Sequence, residues 1–318
     1  QEVNIYIIDF ASMVLRNFED LHHVGGVVTP AEDEKLKNLM KLLLGEIETR
    51  KEKLMSIGVS SFTAYREAGR TDLPQIVLLI DNLTALKELY FQEDDELLRL
   101  CREGLTVGIS VIIANAQTAG IGYKYLSNFA CRIALFCNDS GEYNALFDHC
   151  RARGEDIPGR GIVEVDKAHL DCQMFRAFAG EREIERVQEI RSFIAEINAK
   201  EGSAPARRIP VIPKILTPQL AAQLSVPKTK RFAVMLGLNY ADVTPYTIDF
   251  ANLGALAITG REGSGRHNFI RYAVQALRGG APEQVRLFVV DGIENRRRRR
   301  IPWPRRTRRV CCAAWRKN

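Results

Sequence analysis

The sequence contains no apolar run of the roughly 20 residues that a membrane-spanning helix requires, so no segment is predicted to cross a membrane. The seven cysteines include no CxxC pair, which argues against a zinc site or a disulfide framework and favours a reducing compartment. Only two tryptophans occur, and both lie beyond residue 295, in a segment without acidic residues. These absences indicate an ordinary globular chain with a terminal segment of unusual composition.

The positive charge of the chain is concentrated in that terminal segment, 296–318. It holds ten Arg and one Lys, so that removing these charges from the net +6 leaves residues 1–295 at about −5. Runs of Arg are typical of solvated, disordered segments that attract polyanions. The alternative origin is a shifted reading frame, and composition leaves both open. In either case we expect no regular structure there, because so many guanidinium groups cannot be buried without partners.

A glycine-rich loop, GREGSGRH, lies between a predicted strand (255–259) and a predicted helix. This strand–loop–helix context is that of a phosphate-binding P-loop, GxxxxGK[ST]. Arg266 replaces the lysine that neutralises phosphate charge, and His267 replaces the hydroxyl that binds Mg²⁺. The spacing predicts a loop that binds nucleotide weakly and does not hydrolyse it, and a simple turn is the alternative. The candidate nucleotide-binding residues are Gly260, Arg261, Glu262, Gly263, Ser264, Gly265, Arg266 and His267.

A second motif is the apolar run QIVLLID, which ends at Asp81. It has the form of a Walker B strand, whose terminal aspartate binds the metal ion of a nucleotide. The next residue is Asn82, where hydrolysing enzymes place an acidic general base. An amide cannot accept the proton of the attacking water. The motif therefore predicts a metal-binding aspartate without a general base.

The alternation of elements predicts the fold class. Helices are predicted over 31–58, 94–108 and 182–199, strands over 73–83, 109–117 and 132–138, and a hairpin from 160–166 and 172–179. This order predicts an α/β fold with a mainly parallel sheet and ligands at the carboxyl ends of its strands. A domain is predicted over 1–199, a linker over 200–214, a second domain over 215–295 and a disordered tail over 296–318.

Two partial copies of one domain type are predicted from a recurring strand. The run VNIYIID ends at Asp9, and VRLFVVD ends at Asp291. The first copy begins after the position of its own P-loop strand, which leaves apolar faces exposed, and the second stops soon after its P-loop. In a minor alternative the strand 255–259 fills the gap, with Ile258 beside Leu79.

Several segments in this order resemble the FtsK/SpoIIIE family of ring-forming P-loop motors: YIIDFASMVLRNFEDLHHVGGVV, QIVLLIDNL, ISVIIANAQ, RIALFCND and PGRGIVEV, then VMLGLNY and GREGSGR. The likeness is greatest to the tandem C-terminal ATPase domains of the type VII secretion branch and covers nearly all of residues 1–295. It implies RecA-like domains that assemble into oligomers, with nucleotide between neighbours. In that branch the first tandem domain typically keeps its full catalytic residues, whereas later domains are degenerate.

The resemblance also implies roles for single residues. Gln117 is the only match to the Thr-Gln or Ser-Gln sensor that follows the strand ISVIIA. Arg132 stands where the family has an arginine that can face a neighbouring subunit's nucleotide, and an arginine without that role is the alternative. The pair His22–His23 matches a structural loop of the family, which we favour over a metal site. No catalytic residue and no metal ligand is assigned.

These observations favour a degenerate nucleotide-binding, coupling and substrate-recognition module of a type VII secretion ATPase. The expected cofactors are weakly bound ATP and, with it, Mg²⁺. Expected partners are neighbouring ATPase domains or subunits and secreted proteins, in the cytoplasm at the inner face of the cell membrane. A DNA-translocating FtsK-type motor and an inactive fragment are the alternatives. Asn82, the altered loop and the acidic body argue against the motor.

Overall fold

The computed structural model describes residues 2–90, 94–147, 149–200, 205–213, 215–217, 233–240, 243–280 and 288. The chain divides into two compact units, Gln1–Val211 and Ile212–Asn318. The predicted tail and the strand predicted to end at Asp291 lie outside the described residues. Within them, none of the helices combines the length and apolar character that a membrane crossing needs.

A four-stranded parallel sheet forms the centre of the first unit, in the order β2-β1-β3-β4. Its strands are β1 (Val3–Asp9), β2 (Val24–Val28), β3 (Gln75–Asp81) and β4 (Ile109–Ala114). Strands β1, β3 and β4 coincide with apolar runs of the sequence, and β2 is buried along its whole length. Leu79 of β3 lies between Ile7 and Ile112, so the alternative that places Ile258 beside it is wrong.

Seven α-helices belong to the described part of the first unit, and helices pack on both faces of the parallel sheet. They are α1 (Asp33–Ser56), α2 (Phe62–Glu67), α3 (Leu83–Leu89), α4 (Asp94–Glu103), α5 (Tyr123–Leu126), α6 (Ser140–Leu146) and α7 (Glu183–Lys200). On one face Leu43 of α1 belongs to the same buried cluster as Leu78 of β3. On the other face Ile190 and Ile194 of α7 cluster with Ile7 of β1. The helices predicted over 31–58 and 182–199 are therefore confirmed, whereas the helix predicted over 94–108 ends earlier, at Glu103.

A three-stranded antiparallel sheet follows, in the order β5-β6-β7. Its strands are β5 (Ile133–Leu135), β6 (Arg160–Val165) and β7 (Ala168–Gln173). The predicted span of the last strand, 172–179, is wrong because the strand begins at Ala168. Asp166 and Lys167 both have positive φ, 49° and 65°, which makes the short connection that closes a tight hairpin.

Strand β4 presents an unpaired edge within the described part of the chain. Its Ile112 is 54% exposed, and Ile133 and Leu135 of β5 are about half exposed. An uncovered sheet edge with apolar side chains is unusual for a parallel sheet, which is normally covered on both faces. Apolar side chains are thus exposed at this edge within the described residues, and the absence of a P-loop strand from this domain stays a prediction.

A buried arginine ties α1 to the amino-terminal ends of two strands. Arg50 is 1% exposed, and its guanidinium donates to the carbonyls of Pro74 (2.8 Å), Val107 (3.0 Å) and Gly108 (3.5 Å). Its Nε also donates to Glu46, one turn earlier, at 3.1 Å. Four acceptors satisfy the planar donor fork, which explains how a charge is tolerated in the core.

The segment 205–211, predicted as part of the linker, lies in the first unit along β2. The Ile209 N–H donates to the Gly25 carbonyl at 3.0 Å, and the Tyr6 hydroxyl donates to the Arg207 carbonyl at 2.8 Å. Gly25 has no room for a side chain, because a Cβ would lie 2.3 Å from the Tyr6 ring and 2.6 Å from the Arg207 carbonyl oxygen. The segment thus covers the β2 edge of the sheet.

The second unit contains an antiparallel hairpin and a helix: β8 (Ala233–Leu238), β9 (Pro245–Asp249) and α8 (Arg266–Gly280). The predicted strand 255–259 is wrong, since the described residues contain no strand there. Leu256 and Ile258 are 42% and 38% exposed. An apolar run forms a strand only when a neighbouring strand supplies the ladder, and within the described residues none pairs with it.

Candidate functional site

Two aspartates meet at the carboxyl edge of the parallel sheet. Strands β1 and β3 run in register, so Asp9 and Asp81 are directly paired at their ends. Asp9 is fully buried, and its carboxylate accepts backbone N–H groups of Ala11 (3.3 Å), Met13 (3.0 Å) and Leu15 (2.9 Å). Asp9 therefore holds the following loop in place, with Met13 in the left-handed region at φ 57°.

Asp81 occupies a different environment beside it. Its side chain is partly exposed, and the pKa of its carboxyl is raised, first by desolvation and second by the charge of Asp9. A carboxylate whose pKa is raised in the folded state costs stability once it ionises. A bound cation would offset this cost, which fits the predicted metal-binding role of Asp81. That role stays a prediction.

Replacing Asp81 with asparagine is expected to stabilise the protein at neutral pH. The folded state binds the Asp81 proton more tightly than the unfolded state, so this group's contribution falls as pH rises between the unfolded and folded pKa values. Above that pH window the ionised carboxylate lowers the free energy of unfolding, and asparagine removes this cost. The gain in melting temperature over the unmodified chain is expected at pH 7 and should shrink at about pH 4. A loss at pH 7 would contradict the repulsion between Asp81 and Asp9.

Asn82 serves as the cap of the next helix. It adopts a left-handed conformation, φ 70°, and its Oδ1 accepts the N–H of Ala85 at 3.1 Å. Its Nδ2 donates to the Phe10 carbonyl at 3.3 Å. Asparagine tolerates this backbone and is a favourable N-cap. The residue in the position of the general base is thus engaged in fixing the start of α3.

Gln117 lies after β4, at the same carboxyl edge of the sheet. Its side chain is exposed, whereas its carbonyl accepts a hydrogen bond from the Asn115 amide. Asn115 also bonds Thr84 at the start of α3. The structure therefore places Asp81, Asn82 and Gln117 on adjacent strand ends, as expected for a parallel sheet.

Arg132 is bound within its own chain. Its guanidinium donates to the carbonyls of Leu126 (3.0 Å), Phe129 (3.0 Å) and Leu146 (2.9 Å). These carbonyls lie at or just after the last turns of α5 and α6, where helix carbonyls lack intrahelical partners. A trans-acting role for Arg132 stays a prediction, and it would require some of these bonds to break.

The glycine-rich loop lies in the second unit. Every residue from Gly260 to His267 is exposed, and Gly263 and Gly265 have φ values of 79° and 94°. The Phe269 N–H donates to the Gly265 carbonyl at 2.9 Å, so α8 begins directly after the loop. The backbone can therefore supply N–H groups and a helix N-terminus to an anion, while its function in nucleotide binding stays a prediction.

The aspartate pair does not form a complete metal site by itself. The described residues contain no group of three or more His, Cys, Asp or Glu side chains that could hold a metal ion. The Asp9–Asp81 pair therefore provides two carboxylates at most, and Asp9 is already engaged by three N–H groups. Any Mg²⁺ at this edge would need oxygen ligands from nucleotide or water.

Sequence reasoning identified Asp81 but assigned no role to Asp9 beyond ending a strand. The signal available was the pairing of two strands that both end in aspartate, which places both carboxylates at one edge. It also missed Asn115, Thr84 and Glu142. Their contacts link residues 24 and 31 positions apart, which local patterns do not reveal.

Comparison with known proteins agrees with this architecture. The FtsK/SpoIIIE family model matches residues 1–165. The ESX secretion system protein EccC of Geobacillus thermodenitrificans is 24% identical over 294 residues, which is 92% of this chain and 20% of that protein. The chain thus spans about a fifth of the length of the curated relatives it matches.

Two solved structures share the fold. The structure of EssC (ATPases 2 and 3) from Geobacillus thermodenitrificans aligns with a TM-score of 0.80 at 24% identity, over 89% of this chain and 54% of that one. Thermomonospora curvata EccC (ATPases 2 and 3) in complex with a signal sequence peptide aligns with a TM-score of 0.63 at 22% identity, over 87% and 50%. These likenesses show that the fold is shared. The family match over residues 1–165 shows that the chain belongs to the FtsK/SpoIIIE family.

Proposed function

We propose that this chain is a catalytically degenerate ATPase module of a type VII secretion protein. The observation that carries the proposal is the engagement of Asn82. The position beside the metal-binding aspartate holds an amide, and that amide caps α3 and bonds the Phe10 carbonyl. No carboxylate is available at that position to accept a proton from an attacking water. The module would therefore bind nucleotide without acting as the hydrolytic engine.

The loop at Gly260–His267 supports weak binding. Its exposed backbone and the start of α8 favour an anion by about 1–2 kcal/mol. A lysine contact to phosphate would add about 1.5–3 kcal/mol as a charge-assisted hydrogen bond. Arg266 carries the charge in a planar fork that does not reproduce the lysine geometry. His267 is a poor ligand for Mg²⁺, which prefers oxygen.

The proposed partners are those of a secretion machine. Neighbouring ATPase domains or subunits would complete the nucleotide sites, since the family places nucleotide between neighbours. Secreted proteins are the proposed substrates, and the Thermomonospora curvata structure described with a signal sequence peptide supports this class. We place the module in the cytoplasm at the inner face of the membrane, as part of a longer membrane-anchored protein.

Variants of Asn82 test the proposal. Asn82→Glu restores an acid beside Asp81 but loses the cap and the favourable left-handed residue, so we expect a loss of about 1–3 kcal/mol in stability. Asn82→Asp keeps the capping oxygen but loses the amide donor to the Phe10 carbonyl and adds a charge beside Asp81, so we expect a loss of about 1 kcal/mol. Neither variant should hydrolyse ATP above background, because the phosphate-binding side chains are absent as well.

Denaturant unfolding and a phosphate-release assay give the two readouts. Turnover by Asn82→Glu would show that the missing acid is the decisive defect, whereas hydrolysis by the unmodified chain would contradict a degenerate module. Hydrolysis by the unmodified chain that rises on adding double-stranded DNA would favour the translocating motor instead.

A further inference from the structure

A cluster of side chains connects the ends of β3 and β4 with helix α6. On its first side, the Asn115 Oδ1 accepts the N–H of Thr84 at 3.2 Å. The Asn115 Nδ2 donates to the Thr84 hydroxyl at 2.9 Å and to the Gln117 carbonyl at 2.5 Å. The amide of Asn115 therefore joins the first turn of α3 to the backbone of Gln117.

On its second side, the cluster reaches the first turn of α6. The Glu142 Oε2 accepts the N–H of Thr118 at 2.9 Å and its hydroxyl at 3.2 Å. Helix α6 in turn packs on the antiparallel sheet, since Tyr143 and Leu146 share a buried cluster with Ile162. The backbone on each side of the exposed Gln117 side chain is thus held by a different element.

Close packing fixes the turn between these two sides. Gly120 ends the short 3₁₀ turn Thr118–Gly120, and a Cβ there would lie 1.8 Å from the Thr84 hydroxyl and 3.0 Å from the Asn115 amide nitrogen. The turn is therefore pressed against Thr84 at the start of α3, whereas Thr118 is hydrogen-bonded to Glu142 of α6. A displacement of this turn would have to move Thr84, Asn115 or both.

We propose that Asn115 and Glu142 are positioning residues that present Gln117 at the strand edge and couple this edge to α6. We call Thr84, Asn115, Thr118 and Glu142 the Gln117 latch. Movement at Gln117, for example on contact with a nucleotide phosphate, would pass through Thr118 and Glu142 to α6 and its sheet. The nucleotide part of this inference rests on the proposed function, whereas the coupling itself does not.

Hydrogen exchange of the full chain without nucleotide tests the coupling. Asn115→Ala removes one side of the latch, and Glu142→Ala removes the other. We expect each variant to raise exchange about tenfold at residues 118–121 and also at residues 144–147, because one lost hydrogen bond costs about that factor. The double variant should exchange no faster than the faster single variant, since the two residues act as one unit.

Matched variants separate this role from simple destabilisation. Glu142→Gln keeps an acceptor oxygen without the charge and should restore slow exchange at both segments. Glu164→Ala, an exposed acid in β6, should change neither segment. Effects confined to residues next to each substitution, or multiplying in the double variant, would overturn the latch. If Asn115→Ala does not fold, Asn115→Asp, which keeps the Oδ1 acceptor but loses the amide donor, replaces it with the same expected pattern.

Repeating the exchange with Mg-ATP separates the two proposals. Slower exchange at 118–121 and at 144–147 together supports nucleotide-driven coupling. No effect of Mg-ATP at these segments, with the nucleotide-free pattern intact, removes the nucleotide-driven part of the inference and leaves the latch standing. Protection at 118–121 alone would contradict coupling to α6.

Discussion

Asp9→Ala is expected to destabilise the first unit by about 3 kcal/mol, because a fully buried acceptor of three backbone N–H groups is lost. The N–H groups of Ala11, Met13 and Leu15 would lose their common acceptor. The loop after β1 would then lose its fixed conformation, including the left-handed Met13. Chemical denaturation monitored by circular dichroism measures the change.

Two further variants assign this loss to its cause. Asp9→Asn keeps one oxygen for Ala11 and Met13 but turns a donor toward Leu15, so about half of the loss is expected. Removing the Asp9 charge should also lower the pKa of Asp81, since that charge is its second cause after desolvation. Asp20→Ala, at an exposed position, should stay within about 0.5 kcal/mol. Equal stability of Asp9→Ala and the unmodified chain would contradict the role of the buried carboxylate.

Arg50→Ala is expected to cost about 4 kcal/mol, the largest single loss that we predict. Removing one member of a buried ionic network leaves its partners unpaired, which costs about 3–5 kcal/mol. Here the abandoned partners are Glu46 and the carbonyls of Pro74 and Val107. The site lies at the amino-terminal ends of β3 and β4, far along the strands from Asp81, so nucleotide affinity should change less than stability does.

At Arg50 the stability contributed by side-chain volume can be separated from the stability contributed by hydrogen bonds. Arg50→Met fills much of the volume but donates nothing, so we expect a loss of about 3 kcal/mol, close to that of alanine. Arg70→Ala removes an exposed arginine and should be nearly neutral. A methionine variant as stable as the unmodified chain would show that packing, and not the donor fork, is what Arg50 supplies.

The parallel sheet and its long helices were predictable from the sequence because apolar spacing is local information. The run QIVLLID predicts β3, and the spacing over 31–58 predicts α1. The strand 255–259 was predicted in the same way and is wrong, since a strand also needs a neighbour to pair with. The start of β7 was missed because the left-handed pair Asp166–Lys167 has no glycine to mark its turn.

The candidate site was predictable in its residue types but not in its contacts. The amide at Asn82 rules out a general base at that position by residue type alone. The contacts of Asn115 with Thr84 and of Glu142 with Thr118 join residues 31 and 24 positions apart, and Arg132 reaches the Leu146 carbonyl 14 positions away. Such contacts depend on how helices dock, which periodicity does not determine. Arg50 was missed for the same reason.

Substitutions in the Gly260–His267 loop measure how much Mg-ATP affinity its altered side chains cost. Arg266→Lys combined with His267→Thr restores the two side chains of the P-loop pattern. It should tighten Mg-ATP binding roughly tenfold or more, as expected for a recovered charge-assisted contact of about 1.5–3 kcal/mol. It should not produce turnover, because the proposed function assigns part of each nucleotide site to a neighbouring domain or subunit. Unchanged affinity would show that the loop does not contact nucleotide.

Titration calorimetry of the unmodified full chain with Mg-ATP, together with a hydrolysis assay on the same preparation, tests the central claim most directly. A degenerate module should bind no more tightly than the high micromolar range, since backbone N–H groups supply only about 1–2 kcal/mol of the phosphate interaction. Its phosphate release should equal that of the buffer. Robust ATP hydrolysis by this chain would contradict the account and support the alternative of an active motor.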